Sequence, residues 1–311
     1  MKTVVLAVGG NALLRPGDRG TAEEQMLRAR ETAENIYPLF EKFKIVITHG
    51  NGPQVGAILL QNENSKDIVP SMPLDICGAM SQGEIGYMLE QSFQNVLEEK
   101  GIEKSIVTLL TRVIVDENDP AFENPSKPIG PFYTREEAEK LAKEKGWRVI
   151  EDSGRGWRRV VPSPMPLEIV EKDAIRNLID AGFVAIAVGG GGIPVVKRGN
   201  RLVGVEGVID KDLASAVLAR DIRADRLIIL TSVDRVYLNF GTPEQRGVER
   251  MSVDEARKYL EEGHFKKGSM YPKILASILY LESGGKEVLI TSPEKVQEAL
   301  EGKAGTWIYP Q

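Results

Sequence analysis

Short unbroken apolar runs alternate along this chain with segments whose apolar residues recur every three or four positions. Thr3 to Val8 (TVVLAV) and Lys44 to Thr48 (KIVIT) are runs of the first kind, rich in β-branched residues and closed by glycine, so each reads as a buried strand leaving through a tight turn. Between them Thr21 to Phe43 reads as one helix, with Thr21 as N-cap and Glu24 completing a capping box. Strand, helix, strand favours a parallel sheet. Leu74 to Lys100 has helical spacing with many small residues, and Ser105 to Val115 is a further strand candidate.

From Asp116 to Pro166 the pattern breaks: seven prolines with several aromatics and glycines surround a charged helix from about Thr134 to Lys145, which reads as an excursion from the sheet able to form a lid. The sheet resumes at Phe183 to Val188, ends in Gly189 to Gly192 and continues through Ile193 to Val196. Asp210, Lys211 and Asp212 then open a helix to about Arg220, followed by the strand Leu227 to Thr231 and a loop with Tyr237 to Gly241. Helices at Ser252 to Glu262 and Tyr271 to Gly284, the strand Glu287 to Thr291, a short helix from Pro293 and a last segment Thr306 to Tyr309 follow. The expected organisation is α/β, with residues 1–180 and 181–311 forming two lobes joined near Asp180.

Length and composition narrow this only slightly. With 311 residues the chain can bury a large sheet or two joined lobes, and 42% apolar with 27% charged residues excludes a disordered or fibrous class. A net charge of −5 argues against binding nucleic acid, so any phosphate site must be local. Cys77 stands alone and there are two histidines, His49 and His264, too few for a His/Cys metal site; any metal is expected to arrive on substrate phosphates. No signal-peptide pattern precedes the first strand, and no apolar run reaches the roughly 18 residues of a membrane span, so a cytoplasmic protein is expected.

Three glycine turns close strands: Gly9-Gly10-Asn11, Gly50-Asn51-Gly52 and Gly189 to Gly192. A helix N-terminus offers unpaired N–H groups and partial positive charge, and glycine lets an anion approach the backbone. One Gly-Gly is more often a tight turn, but three at strand ends, where open α/β sheets bind ligands, favour a phosphate site. No P-loop and no protein-kinase motif set occurs. The turn running from Gly50 to Gly56 resembles a dinucleotide fingerprint with one residue too many, with Asp75 beyond it, so a nicotinamide oxidoreductase is the competing class.

Phosphoryl transfer needs cations around the moving group. Lys211, between two aspartates at a helix start, and Lys273, behind Gly268-Ser269-Met270, are candidates; Lys127 by composition alone reads as a surface lysine. His49 reads as a neutral core imidazole without a catalytic role. The segment Arg155 to Arg159 (RGWRR) is able to clamp an anion or only to pack around Trp157.

Taken together, the segments at Gly9 to Leu13, Thr48 to Gly56, Asp116 to Phe122, Lys127 to Tyr133, Gly189 to Gly192, Ile209 to Asp212 and Gly268 to Lys273 resemble the carbamate kinases of the amino acid kinase family, in order from end to end. The resemblance implies a three-layer αβα open sandwich with a mostly parallel central sheet and a protruding subdomain at about 116–164. It implies reversible phosphoryl transfer between ATP and carbamate, with ADP and carbamoyl phosphate as products and Mg²⁺ carried by the nucleotide. Gly9, Gly10, Asn11, Gly50, Asn51 and Gly52 would hold carbamate and the transferring phosphoryl. Lys127, Lys211 and Lys273 would neutralise that group, with Asp210 orienting the lysines. Gly190, Gly191, Thr231, Tyr237 and Met270, with Lys211 and Lys273, would line the nucleotide. A homodimer through the helix from Asp75 to Phe93 is also implied. A non-catalytic nucleotide sensor on the same fold is the third possibility.

Overall fold

The computed structural model describes every residue except Asn11, Ala12, Pro16, Ser153 and Lys267. Its centre is an eight-stranded sheet of β1 (Lys2–Val8), β2 (Phe43–His49), β3 (Ile106–Thr108), β4 (Val184–Ile186), β5 (Arg226–Leu230), β6 (Arg250–Ser252), β7 (Val288–Thr291) and β8 (Thr306–Tyr309). The spatial order is β6-β8-β7-β5-β1-β2-β4-β3. All neighbours run parallel except the antiparallel pair of β7 and β8. The sheet crosses the expected boundary near Asp180, because β4 lies between β2 and β3.

The unbroken apolar runs follow from burial on both faces. On β1, Val5 and Ala7 belong to one core and Val4, Leu6 and Val8 to the other. The helices are α1 (Ala22–Ile36), α2 (Pro38–Lys42), α3 (Gly52–Asn64), α4 (Leu74–Glu99), α5 (Arg135–Lys145), α6 (Lys172–Asp180), α7 (Lys211–Asp221), α8 (Val253–Glu261), α9 (Met270–Glu282) and α10 (Val296–Leu300). α6, α7, α8 and α9 cover the first face, and α1, α4 and α10 the second. The three-layer αβα architecture is therefore present.

Several boundaries differ from the sequence reading for local reasons. The helix expected over Thr21 to Phe43 starts with the expected Thr21/Glu24 capping box but divides at Tyr37, because Pro38 lacks an N–H and opens α2 instead. Ser105 to Val115 is two strands: β3 stays in the main sheet, whereas Arg112–Ile114 joins a second, four-stranded sheet. Ile193–Arg198 also belongs to that second sheet and does not continue the first. The turn between β4 and Ile193 holds Val188 and Gly190 to Gly192 at positive φ, which redirects the chain. Tyr237 lies in a strand, Val236–Leu238, paired with Arg246–Val248, where a loop was expected.

The excursion is a three-stranded antiparallel sheet, Lys127–Tyr133, Trp157–Val161 and Val149–Glu151, with α5 beside it. It meets the body where Lys127–Tyr133 crosses α3. A Cβ on Gly56 would stand 2.0 Å from the Gly130 nitrogen, so this glycine, read as the last of an imperfect dinucleotide fingerprint, serves backbone packing between subdomain and helix.

Candidate active site

The C-terminal ends of the central strands β1, β2 and β5 lie toward the starts of α3, α7 and α9. Asp210 caps α7: its Oδ1 accepts from the backbone N–H of Asp212 (2.9 Å) and Leu213 (3.4 Å). Its Oδ2 accepts from Lys127 Nζ at 2.7 Å, so the lysine that composition assigned to the surface reaches from the protruding subdomain to the body. One residue further, Lys211 Nζ donates to Asp212 Oδ1 at 2.6 Å and Lys273 Nζ to Asp212 Oδ2 at 3.1 Å. Lys273 also reaches the Ser269 carbonyl at 3.3 Å. Three lysines from three elements thus converge on two aspartates.

Among the described residues Asp210 hydrogen-bonds one of the three lysines, Lys127, and acts on Lys211 through its charge. Lys211 and Lys273 are oriented by Asp212, which the sequence reading noted as a flanking acid and gave no role. Burial pushes the Asp212 carboxyl up, but the two ammonium groups outweigh it and hold it below the ordinary carboxylate range. Burial pushes the Lys211 ammonium down, against the pull of Asp212, and the charge of Lys273 acts in the same direction as burial. Two cations on one buried anion leave a net positive charge facing the glycine turns.

The turns divide by what surrounds them. Gly9 needs its hydrogen because a Cβ would stand 2.9 Å from the Leu230 carbonyl oxygen of the neighbouring strand, whereas Gly10 has open space beside it. Asn11 lies outside the described residues. Gly50 lies against the Lys211 side-chain stem, with an added Cβ 3.8 Å away. Asn51 is 5% exposed, and its side chain is turned inward: Nδ2 donates to Ser81 Oγ at 2.8 Å, and Ser81 donates to the Gly78 carbonyl at 2.7 Å. What this turn offers an anion is therefore the start of α3, where Asn51 makes no side-chain cap hydrogen bond and the first turn has no acidic residue.

Gly190 and Gly191, expected to line the nucleotide, are covered by protein. A Cβ on Gly190 would stand 2.1 Å from Asn51 Nδ2, and one on Gly191 would stand 2.7 Å from Ile209 Cβ, so both shape the turn around Asn51 and the entry to α7. His49 is buried beneath this turn. Its Nδ1–H donates to the Gly50 carbonyl at 3.0 Å, and burial, reinforced by Lys211, pushes its pKa down to about 4, which keeps the ring neutral as expected. Thr48 and Ser215 share a buried hydrogen bond of 2.6 Å, and Ser215 donates to the Lys211 carbonyl, which ties the β2 turn to α7. Neither residue carries a signal in the sequence, since both read as ordinary core-edge hydroxyls.

Thr231, at the end of β5, donates its backbone N–H to the Thr291 carbonyl at 2.9 Å. Tyr237 donates its hydroxyl to Asp234 at 2.7 Å, and Met270 opens α9 next to the Ser269 carbonyl that holds Lys273. Asp75, the acid the dinucleotide reading required after a second strand, sits instead in the first turn of α4, with Oδ2 2.2 Å from where a Cβ on Gly204 would be. The competing oxidoreductase reading loses its ribose-binding acid.

The model of the amino acid kinase family matches residues 2–292, and the chain belongs to that family. Its near relatives there are carbamate kinases. It is 53% identical over 312 residues to the carbamate kinase of Thermococcus kodakarensis, covering 99% of each chain. It is 50% identical to that of Clostridium perfringens, covering 98% of this chain and 99% of the relative. Carbamate kinase from Giardia lamblia bound to AMP-PNP superposes with a TM-score of 0.89 at 45% identity, over 99% of this chain and 98% of that one. The sequence resemblance and the expected fold are both upheld, and the protein is a kinase.

Proposed function

We propose that the chain catalyses reversible phosphoryl transfer between ATP and carbamate, interconverting ADP and carbamoyl phosphate. The observation that carries this reading is the gathering of Lys127, Lys211 and Lys273 on Asp210 and Asp212 beside the glycine turn that closes the central strand β2. A carbamate oxygen attacks the γ-phosphorus in line, and the bond to the ADP oxygen breaks. Carbamate is already an anion, so no general base is needed. The neutral, buried His49 fits that absence of a base.

In this reading residues 1–180 bind the acceptor and 181–311 the nucleotide. The glycine turns position anions through backbone N–H groups, and the three lysines hold charge on the equatorial oxygens. Thr231, Tyr237 and Met270 line the nucleotide. Mg²⁺ arrives on the nucleotide phosphates, where it neutralises charge; the aspartates here are taken up by lysines. Location in the cytoplasm belongs to the same proposal.

A coupled assay with ADP and carbamoyl phosphate tests it: ATP is expected to form. Nucleotide binding without ATP formation would instead identify a sensor, and a requirement for NAD(P) an oxidoreductase. We further assign a homodimer to the outer side of α4, where Ile76, Met80 and Tyr87 are exposed at helical spacing, Tyr87 by 63%. Light scattering is expected to give twice the 34.3 kDa chain mass, and a single-chain mass sinks the assignment.

A further inference from the structure

Arg158 lies in Trp157–Val161 of the protruding subdomain, is only 7% exposed, and has two of its three nitrogens fixed. Nε donates to the Gly130 carbonyl at 3.1 Å and Nη1 to Asp152 Oδ2 at 3.1 Å. The guanidinium carbon stands 5.0 Å from the centroid of the Phe132 ring, which fixes its plane. Nη2 is sealed from solvent and has no hydrogen-bond partner among the described residues. A buried donor left so costs stability, and a buried guanidinium nitrogen costs more than a neutral one.

That nitrogen is aimed at the start of α3. A Cβ on Gly52 would stand 3.8 Å from Nη2 and 3.4 Å from the Pro128 carbonyl oxygen, so the missing side chain leaves a gap about one heavy atom wide. α3 is 13 residues long, has no side-chain cap and carries no acid in its first turn. The positive end of a helix and a guanidinium therefore face each other with no acidic side chain in the helix's first turn, an arrangement that a bound oxyanion relieves.

We propose that Arg158 is an anion-binding residue for carbamoyl phosphate and its acceptor anion: the protruding subdomain shifts to widen the sealed gap beside Gly52, and an oxygen of the bound substrate enters it and accepts from Nη2. Nε and Nη1 stay on Gly130 and Asp152, so the fork is already oriented when the substrate arrives. The protruding subdomain then supplies two cations, Lys127 to the transferring group and Arg158 to the substrate's other end. Gly52, whose φ is not in the left-handed region, is glycine to keep this gap open. The inference rests on the carbamate kinase reading.

The test is steady-state ATP formation by the full chain as wild type, Arg158→Lys, Arg158→Met and Gly52→Ala, with KM measured separately for carbamoyl phosphate and ADP. The KM for carbamoyl phosphate is expected to rise at least about tenfold in all three variants, with that for ADP within about twofold. Equal rises for both substrates, or an unchanged KM for carbamoyl phosphate, overturn the assignment. If Arg158→Met does not fold, Arg158→Lys decides, since it keeps the cation and the aliphatic stem but loses the planar fork that presents Nη2. A wild-type chain that makes no ATP overturns the kinase reading and this one with it; normal wild-type turnover with unaffected variants overturns the role of Arg158 alone.

Discussion

Replacing Lys211 by alanine is expected to lower turnover about a hundred- to a thousand-fold, the loss typical of one preorganised donor to a developing oxyanion. The expectation rests on where the ammonium sits. It is 8% exposed, held at 2.6 Å by Asp212 and packed along Gly50, so its charge acts in a poorly screened site directly beside the turn assigned to the acceptor. Lys273, on the other oxygen of the same carboxylate, is expected to lose a comparable factor on replacement by alanine. The two effects should not add, because each variant leaves the remaining ammonium free to draw closer to Asp212. Both variants should bring kcat down more than they raise KM, since the charge they remove is stronger in the transition state than in either substrate. Near-normal kcat in both variants would show that the cluster is structural only.

The fold was legible in this sequence where burial is two-sided. Val4 to Val8 and Ile45 to His49 are buried throughout, and a run of that kind leaves few alternatives to a covered parallel strand. It was less legible where backbone geometry decides. Nothing in Ser105 to Val115 marks that Leu109 to Thr111 leaves the sheet, because the strands on either side are equally apolar. Arg250–Ser252 is three residues long, too short to show a period of two. The site divides in the same way. Lys211 and Asp210 were visible as charges at a helix start beside an apolar strand, a local signal. Lys273 stood out behind Gly268-Ser269-Met270, although its partner Asp212 lies 61 residues away; Lys127 lies 83 residues from its partner Asp210, and only resemblance to known kinases gave it a role. Asp212 was noted only as an acid flanking Lys211 and was given no role. Its function depends on a second lysine that sequence spacing does not place beside it.

Replacing Asp212 by alanine is expected to destabilise the fold by about 3 to 5 kcal/mol, the range for removing one partner of a buried ion pair. Asp212 is 2% exposed and both its oxygens are occupied, so its loss leaves two largely buried ammonium groups close together without their shared anion. Asp212→Asn should cost less, because the amide oxygen still accepts one hydrogen bond while the neutralising charge is gone. The pH dependence separates a charge effect from lost packing. The folded carboxyl is held below its ordinary 3.8, so its contribution is fully present above that value and is lost only as pH falls through the depressed folded pKa. At neutral pH the whole contribution is therefore at stake. In the alanine variant the burial that lowers the Lys211 pKa loses its strongest opponent, leaving only the more weakly acting Asp210 charge against it. The variant should then recover stability as pH rises toward the ordinary lysine value of 10.5 and the ammonium sheds its proton. Urea unfolding of wild type and Asp212→Ala at several pH values from neutral upward reads this directly. A gap that narrows with pH is the expected result, whereas a gap constant across that range assigns the loss to packing and removes the electrostatic account of the lysine pair.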